Sequence, residues 1–237
     1  MKGNHKVSGI KLVFLTSVLV AGLFALLTTP TIAADVSKQQ ELVDKARVTF
    51  DIFMADPDMT WLQRHMKDAK GVLIVPSLVK AGFVWGGSGG RGVLLGRDEK
   101  TGEWSQPAFY SMGSVSWGLQ IGVQKAEVIM LVRTQRGMES LLRTSVKLGG
   151  DTSVAAGPVG VGAAIRNVTA DIISFTRAKG AFAGLSLEGA VVKTNDKYSD
   201  AYYGKSARPV DILVRHDVSN PQSAELRAAV AKAAKQP

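Results

Sequence analysis

Three cations, Lys80, Arg91 and Arg97, bracket a run of glycines at Gly86, Gly87, Gly89, Gly90 and Gly92, and three tryptophans, Trp85, Trp104 and Trp117, lie in neighbouring segments. An arginine fork or a lysine point charge binds phosphate oxygens, and tryptophan, apolar at one end and polar at the other, suits a membrane interface. The combination points to contact with lipid headgroups by Lys80, Arg91 and Arg97, with Trp85 and Trp117 touching the membrane. The competing reading is that the tryptophans fill a core and the charged loop is only solvated. A backbone with so little Cβ constraint can also turn sharply or offer its amides to an anion.

Catalytic patterns in the same stretch are formal matches. Gly86-x-Ser88-x-Gly90 has the spacing of a nucleophile elbow and makes Ser88 the residue of a less favoured serine-hydrolase reading. That motif needs a strand-to-helix turn and a histidine base. Beyond the N-terminal leader described below, the histidines are His65 and His216, and neither has an evident acid partner in the sequence. Gly87-x-Gly89-x-x-Gly92 fits the dinucleotide fingerprint, but Val93-Leu94-Leu95 continues it as a strand where the pyrophosphate requires a helix N-terminus. Ser77-x-x-Lys80 runs at once into Gly82-Phe83, leaving almost no helix to bring the two side chains together. The chain has no cysteine, its histidines form no ligand cluster, and Asp56 and Asp58 suit helix capping better than acid-base work. The expectation is a non-enzymatic protein with no catalytic residue, no metal and no cofactor.

The elements that would position these residues can be read from the chain in order. Ser37 with Gln40 forms a capping-box pattern, after which Leu42, Val43, Ala46, Phe50, Phe53 and Met54 share one side of a helix. Packing of that face on a sheet is the favoured reading. Insertion into lipid, with Leu42, Phe50 and Phe53 as contacts, is the alternative. Asp56-Pro57 opens a second helix with Trp61, Leu62 and Met66 on its buried side. From Gly71 to Arg97 the pattern is strand, turn, strand, glycine loop, strand, with Val72 to Val75 stopped by Pro76. Further strands are expected at Ala108 to Tyr110, Val115 to Val123, Val128 to Val132, Asp171 to Arg177 and Ala181 to Lys193, the last two joined by a hairpin at Lys179-Gly180. Helices are expected over Arg136 to Ser145, over Asn195 to Tyr203 with its three tyrosines, and from Asn220-Pro221 to about Lys235. The Gly/Ala-rich stretch 148–162 reads as flexible. Strands and helices do not alternate strictly, so the expected fold is a single α+β domain: a curved, mostly antiparallel sheet or partial barrel with N-terminal and C-terminal helices.

Several of these pieces occur together in an order that resembles the SYLF lipid-binding domain family. They are Ile74-Val75-Pro76, Lys80-Ala81-Gly82-Phe83, the glycines from Gly86 to Gly92, Ser116 to Gly122, Ile129 to Leu131, Gly149-Gly150-Asp151 and Gly180 to Gly189. Linked motifs in order are more specific than one glycine pattern. The resemblance implies a domain that binds phospholipid without catalysis. Phosphoinositides are the ligands associated with eukaryotic members, which join the domain to trafficking or cortical-actin modules, and a yeast branch is actin-binding. This sequence departs from those members in carrying a leader and no SH3 or FYVE module.

That leader is Lys2, Lys6 and Lys11 ahead of an apolar run from Leu12 to Leu27, then Thr31-Ile32-Ala33-Ala34 before Asp35. This is the order of a secretory signal peptide, so residues 1–34 are expected to be removed and 35–237 to form the lipid-binding domain. An uncleaved N-terminal anchor is the alternative. The formal charge of the whole chain is +9, and loss of three leader lysines with no acid leaves +6, an excess that favours anionic partners. The sequence therefore predicts an exported protein of the bacterial periplasm or cell envelope, peripherally attached to an anionic phospholipid membrane. An envelope protein partner is the second reading. Nucleic acid is disfavoured, and actin is not expected to meet an exported bacterial chain.

Overall fold

The structure is a computed structural model that describes residues 32–82, 85–117, 122–160, 169–178, 181–183 and 187–236. Residues Val36–Pro237 form one compact unit and Met1–Asp35 another. The expected leader therefore lies almost wholly outside the described residues.

The first helix, α1 (Ile32–Ala55), extends beyond the capping-box start expected at Ser37. Gln40 is not part of a cap: its side chain donates to Asp44 and to the Gln222 carbonyl and accepts from the Tyr202 hydroxyl. Asp56 caps a 3-10 turn (Pro57–Met59) through the Asp58 amide, and α2 (Thr60–His65) follows, as the Asp-Pro signal predicts. Then come β1 (Gly71–Gly82), β2 (Trp85–Gly96), β3 (Ala108–Trp117), β4 (Gly122–Val132), α3 (Gln135–Leu141), β5 (Ser145–Lys147), β6 (Val154–Ala156), β7 (Ile172–Ala178), β8 (Ala181–Ala183), β9 (Val191–Thr194), α4 (Asp196–Tyr203), α5 (Pro209–Leu213) and α6 (Ala224–Ala233). The strands form one sheet in the order β5-β9-β3-β2-β1-β4-β7-β6, with β8 on β7. Its pairings are antiparallel except β6 with β7. The expected α+β domain with a curved, mostly antiparallel sheet is what the chain forms.

Both faces of the inner half of this sheet are covered, which is why its strands read as continuous apolar runs. Val128 through Val132 are all fully buried. Alternate residues supply two cores. Val72, Ile74, Val93, Leu95, Ile129 and Leu131 pack beneath α1, α2 and α6, while Leu73, Val75, Leu94, Val128 and Met130 pack beneath α3 and α5. Phe50 and Phe53 of α1 sit in the first core at 1% and 0% exposure, each burial stabilising by about 1.5–3 kcal/mol. They are not a membrane-facing surface: the apolar stripe packs on the sheet.

Several expectations require correction. The glycine segment Gly86 to Gly92 is not a loop but the middle of β2, hydrogen-bonded into ladders with β1 and β3, so its amides are not free to cradle an anion. The reason lies in β1, whose register slips against both neighbours between Ile74 and Leu78, around Pro76. Proline lacks the ladder N–H and is accommodated at such a bulge. There β1 comes so close that a Cβ at Gly90 would stand 2.5 Å from the Ser77 carbonyl oxygen, and one at Gly92 would overlap the Ile74 carbonyl oxygen.

Val115 to Val123 is likewise not one strand, because β3 ends at Trp117 and β4 begins at Gly122. The segment 181–193 divides into β8 and β9, which lie at opposite ends of the sheet. Part of the stretch expected to be flexible is built in: Leu148 is fully buried and β6 pairs with β7, while residues 161 and 162 lie outside the described residues. Helix α5 carries no cue strong enough to be read from sequence. The β7–β8 pairing with Ala178 opposite Ala181 bears out the hairpin, although its turn residues, 179 and 180, fall outside the described set.

Asp171 ties the start of β7 to two neighbours. Its carboxylate, 3% exposed, accepts from Thr134 Oγ1 (2.7 Å), Arg136 Nη2 (2.6 Å) and Ser153 Oγ (2.6 Å). Burial alone would raise its pKa, but the bonds from Arg136, Ser153 and Thr134 prevail and hold it well below the usual carboxylate range.

Two predictions follow from these contacts. Gly92→Ala should lower the urea-unfolding free energy by about 1–3 kcal/mol. Gly89→Ala, whose Cβ would meet nothing within 4 Å, should leave it unchanged within about 0.5 kcal/mol or raise it slightly. Asp171→Ala should cost about 1–3 kcal/mol at neutral pH, because it leaves the Thr134 and Ser153 donors without their acceptor, while Arg136 is exposed and returns to water. Since the folded pKa of Asp171 is depressed, its contribution is complete above the unfolded value of about 3.9 and fades as pH falls below it. Urea midpoints measured from pH 7 to pH 2 should show the gap between wild type and variant narrowing only under acid.

Candidate functional site

The Pro76 bulge turns the outer half of the sheet out from between the two cores, and a cleft of about 700 Å³ opens where α1 leaves it uncovered. Its floor is Pro76, Ser77 and Val79 of β1, Gly89 to Arg91 of β2 and Ser111 of β3; its walls are Lys38, Glu41, Leu42 and Lys45 of α1 and Tyr198 of α4. Arg91 and Ser111 are register partners, as are Arg91 and Ser77, so three neighbouring strands bring a guanidinium between two serines.

Tyr198 is fixed by its own surroundings. Asn195 caps α4 through the Tyr198 amide, donates to Ser111 Oγ (3.1 Å) and bonds the Phe109 carbonyl through its backbone amide (2.9 Å). The Tyr198 ring meets the buried Phe109 ring edge-on at 6.0 Å. Arg91 lies over Tyr198, its guanidinium carbon 5.1 Å from the ring centroid. This cation–π contact holds an exposed guanidinium in place while leaving its N–H donors for a ligand. Among the described residues no carboxylate pairs with Arg91. Lys45 is bonded to Glu41 at 2.5 Å on the exposed face of α1, and that bond holds the Glu41 carboxyl below its ordinary pKa. With Lys38 the rim carries three cations and one carboxylate, a positive site open to an anion.

The residues expected to act together from sequence are dispersed. Lys80 follows Val79 on β1 and pairs in register with Ser88 and Gln124, so alternation places it on the sheet face opposite Arg91. Arg97 lies at the other end of β2, about 20 Å from Arg91 at ~3.3 Å per residue. Its guanidinium is spent on the Lys67 and Gly102 carbonyls, beside a Lys70–Glu99 ion pair. Trp104 is buried at 3% in the first core. Trp85 and Trp117 are cross-strand partners at the far ends of β2 and β3. Leu42 is half-buried and lines the cleft.

Lys38, Lys45 and Tyr198 were not singled out from sequence. The first two are legible in retrospect, since positions 38, 42 and 45 share a helix face. Tyr198 is not, because its approach to Arg91 spans more than a hundred residues of chain.

Ser88 is no nucleophile of the elbow type. It sits within β2 with its hydroxyl 2.8 Å from that of its register partner, Ser114. His65 stacks on Trp61 and bonds the Trp61 carbonyl, and His216 faces Asp98 at 3.8 Å. Among the described residues no cluster of potential metal ligands occurs.

The two arginines should therefore separate in a stability measurement. Arg97→Ala is expected to lower the urea-unfolding free energy by about 1–3 kcal/mol, because the Lys67 and Gly102 carbonyls lose a charged donor. Arg91→Ala should stay within about 1 kcal/mol of wild type, the worth of an exposed cation–π contact.

Residues 113–233 match the sequence profile of the Ysc84 family, described as Las17-binding protein actin regulator. LAS seventeen-binding protein 3 of Saccharomyces cerevisiae (strain ATCC 204508 / S288c) is 32% identical over 154 residues, 62% of this chain and 33% of the yeast protein. SH3 domain-containing YSC84-like protein 1 is 31% identical over 173 residues in Mus musculus and 30% in Homo sapiens, in each case 71% of this chain and 50% of the relative. The chain thus spans about a third to a half of the length of these curated relatives. A profile match over half of the chain places it: the protein belongs to the Ysc84/SYLF family.

Proposed function

We propose that this chain is a non-enzymatic binding protein that attaches to anionic phospholipid headgroups at a bacterial envelope membrane, with the Arg91 cleft as the headgroup site. The observation that carries this reading is the exposed Arg91 guanidinium, seated on Tyr198 between Ser77 and Ser111 and facing the α1 lysines. A tetrahedral phosphate matches such a set, with forked N–H donors, hydroxyls and ammonium groups lining one cleft. The basic excess of the chain adds a longer-range pull towards an anionic surface. Phosphoinositide-like headgroups fit the same chemistry. Attachment in this reading is peripheral, and among the described residues no helix is long and apolar enough to cross a membrane. The leader pattern supports export to the periplasm or envelope.

A second reading, a protein-interaction module, is favoured by the names of the relatives: the yeast protein is named for binding Las17, and the family is described as an actin regulator. In an exported chain the corresponding partner would be an envelope protein rather than actin.

Sedimentation with zwitterionic and anionic vesicles across a salt series tests the first reading. Binding should require anionic lipid and weaken with salt. Arg91→Glu should reduce it roughly tenfold or more, at ~1 kcal/mol for each unit of charge changed near the surface, whereas Lys80→Glu should do less. Equal binding to both vesicle types, or insensitivity to Arg91→Glu, would overturn the headgroup site. Absence of binding to either would leave the protein-partner reading in its place.

A further inference from the structure

The cleft does not end at Arg91. Alternation along the strands assigns Val79 and Ala81 of β1, Gly87 and Gly89 of β2, Gly113 of β3 and Val123 of β4 to the same sheet face as the buried Ile74, Val93 and Ile129. In the inner half that face lies under α1 and α6. In the outer half it lacks such a cover among the described residues: Ala81 and Gly89 are exposed, and Val123 is 70% exposed. The result is a shallow trough, apolar and floored by glycine, that leads away from the cations towards the Trp85–Trp117 strand ends. It is about 20 Å long from Arg91 to Trp85 at ~3.3 Å per residue.

Charge sits mainly at one end, with Lys125 the exposed cation along the β4 border and Glu127 engaged by Arg177. Gly89 lies where the two parts join, and a Cβ there would meet no atom within 4 Å. This space is bounded by the apolar Leu42 and Val79 on one side and by Arg91 on the other. A bare phosphate would leave the trough empty, and a plain hydrocarbon would leave the cations unmatched. An anion with a chain attached satisfies both.

We propose that the site takes a single anionic amphiphile as a monomer, with its phosphate at Arg91 and Lys45 and its hydrocarbon chain over Gly89 and Val79 along that sheet face. This rests on the headgroup reading and extends it from the surface of a membrane to one lipid molecule removed from it.

Isothermal titration of the whole chain with palmitoyl lysophosphatidic acid, below its micelle concentration, tests this against glycerol 3-phosphate and palmitoyl lysophosphatidylcholine. The expected result is one-to-one binding of the lysophosphatidic acid, at least tenfold tighter than either of the others. Ala81→Phe, an exposed position of the same face outside the headgroup cleft, should weaken that binding at least tenfold while leaving glycerol 3-phosphate affinity within threefold and the urea midpoint in place. Ala81→Leu supplies a smaller block should the phenylalanine variant fold poorly. Equal affinity for lysophosphatidic acid and glycerol 3-phosphate would overturn the chain-binding half of the proposal. Equal affinity for the two lysolipids would overturn the phosphate half, and full binding by both Ala81 variants would overturn the location. If no monomer binds but anionic vesicles still pellet the protein in an Arg91-dependent way, the amphiphile inference falls and the headgroup reading stands. If neither occurs, both fall.

Discussion

The close approach of β1 to β2 at Pro76 is the constraint on which the rest of this structure depends. A proline in the central strand of a sheet removes a ladder donor, and the register slips around it on both sides. The slip pushes the Ser77 and Ile74 carbonyls against β2, where only glycine fits at positions 90 and 92. Bulge and glycines are two halves of one device, because either alone would leave a clash or a void. What the device does is bend the sheet. Inside the bend, five strands run between two apolar layers; outside it, Ala81 of β1, Gly89 of β2 and Val123 of β4 are exposed on the α1 side.

The candidate site follows from that bend. The helix that seals the inner half, α1, borders the outer half with its Lys38 to Lys45 turns, so the edge of its apolar stripe, Leu42, meets solvent beside Lys38 and Lys45. The sheet supplies Arg91 from below and α4 supplies the aromatic ring on which it rests. Lys38, Lys45 and Arg91 are exposed, which suits reversible binding of a hydrated anion better than chemistry on it. The strong electrostatics lie elsewhere: the buried Asp171 carboxylate, with donors on all sides, locks the start of β7 to α3 and to the segment before β6. That network holds the fold and is remote in role from ligand capture.

How much of this could be read from the chain depended on how local each cause was. Asp56-Pro57, Asn195 and Asn220-Pro221 announce helix starts through bonds within three residues, and each lies where its pattern predicts. Val128 to Val132 is legible as a strand covered on both faces because continuous apolarity has no other economical explanation at that length. The glycine run misleads because glycine marks flexible loops and close approaches alike, and the close approach here is made by residues some fifteen positions away in β1. The candidate cations fail as a cluster for a related reason. Whether Lys80 and Arg91 share a face is decided by strand parity, and a bulge resets parity. Tyr198 has no local signal at all, since a half-buried tyrosine on a short helix acquires meaning only once Arg91 is placed over it.

Contact between the anionic headgroup and Arg91 with its neighbours can be followed through backbone amide and arginine side-chain resonances of isotopically labelled protein as anionic lipid nanodiscs are added. Perturbations concentrated at Ser77, Gly89 to Arg91, Ser111, Tyr198 and the Lys38 to Lys45 turns of α1, and absent with zwitterionic nanodiscs, are the predicted result. Perturbations gathered instead around Arg97 and the Asp98 to Gly102 turn, or along α6, would contradict it.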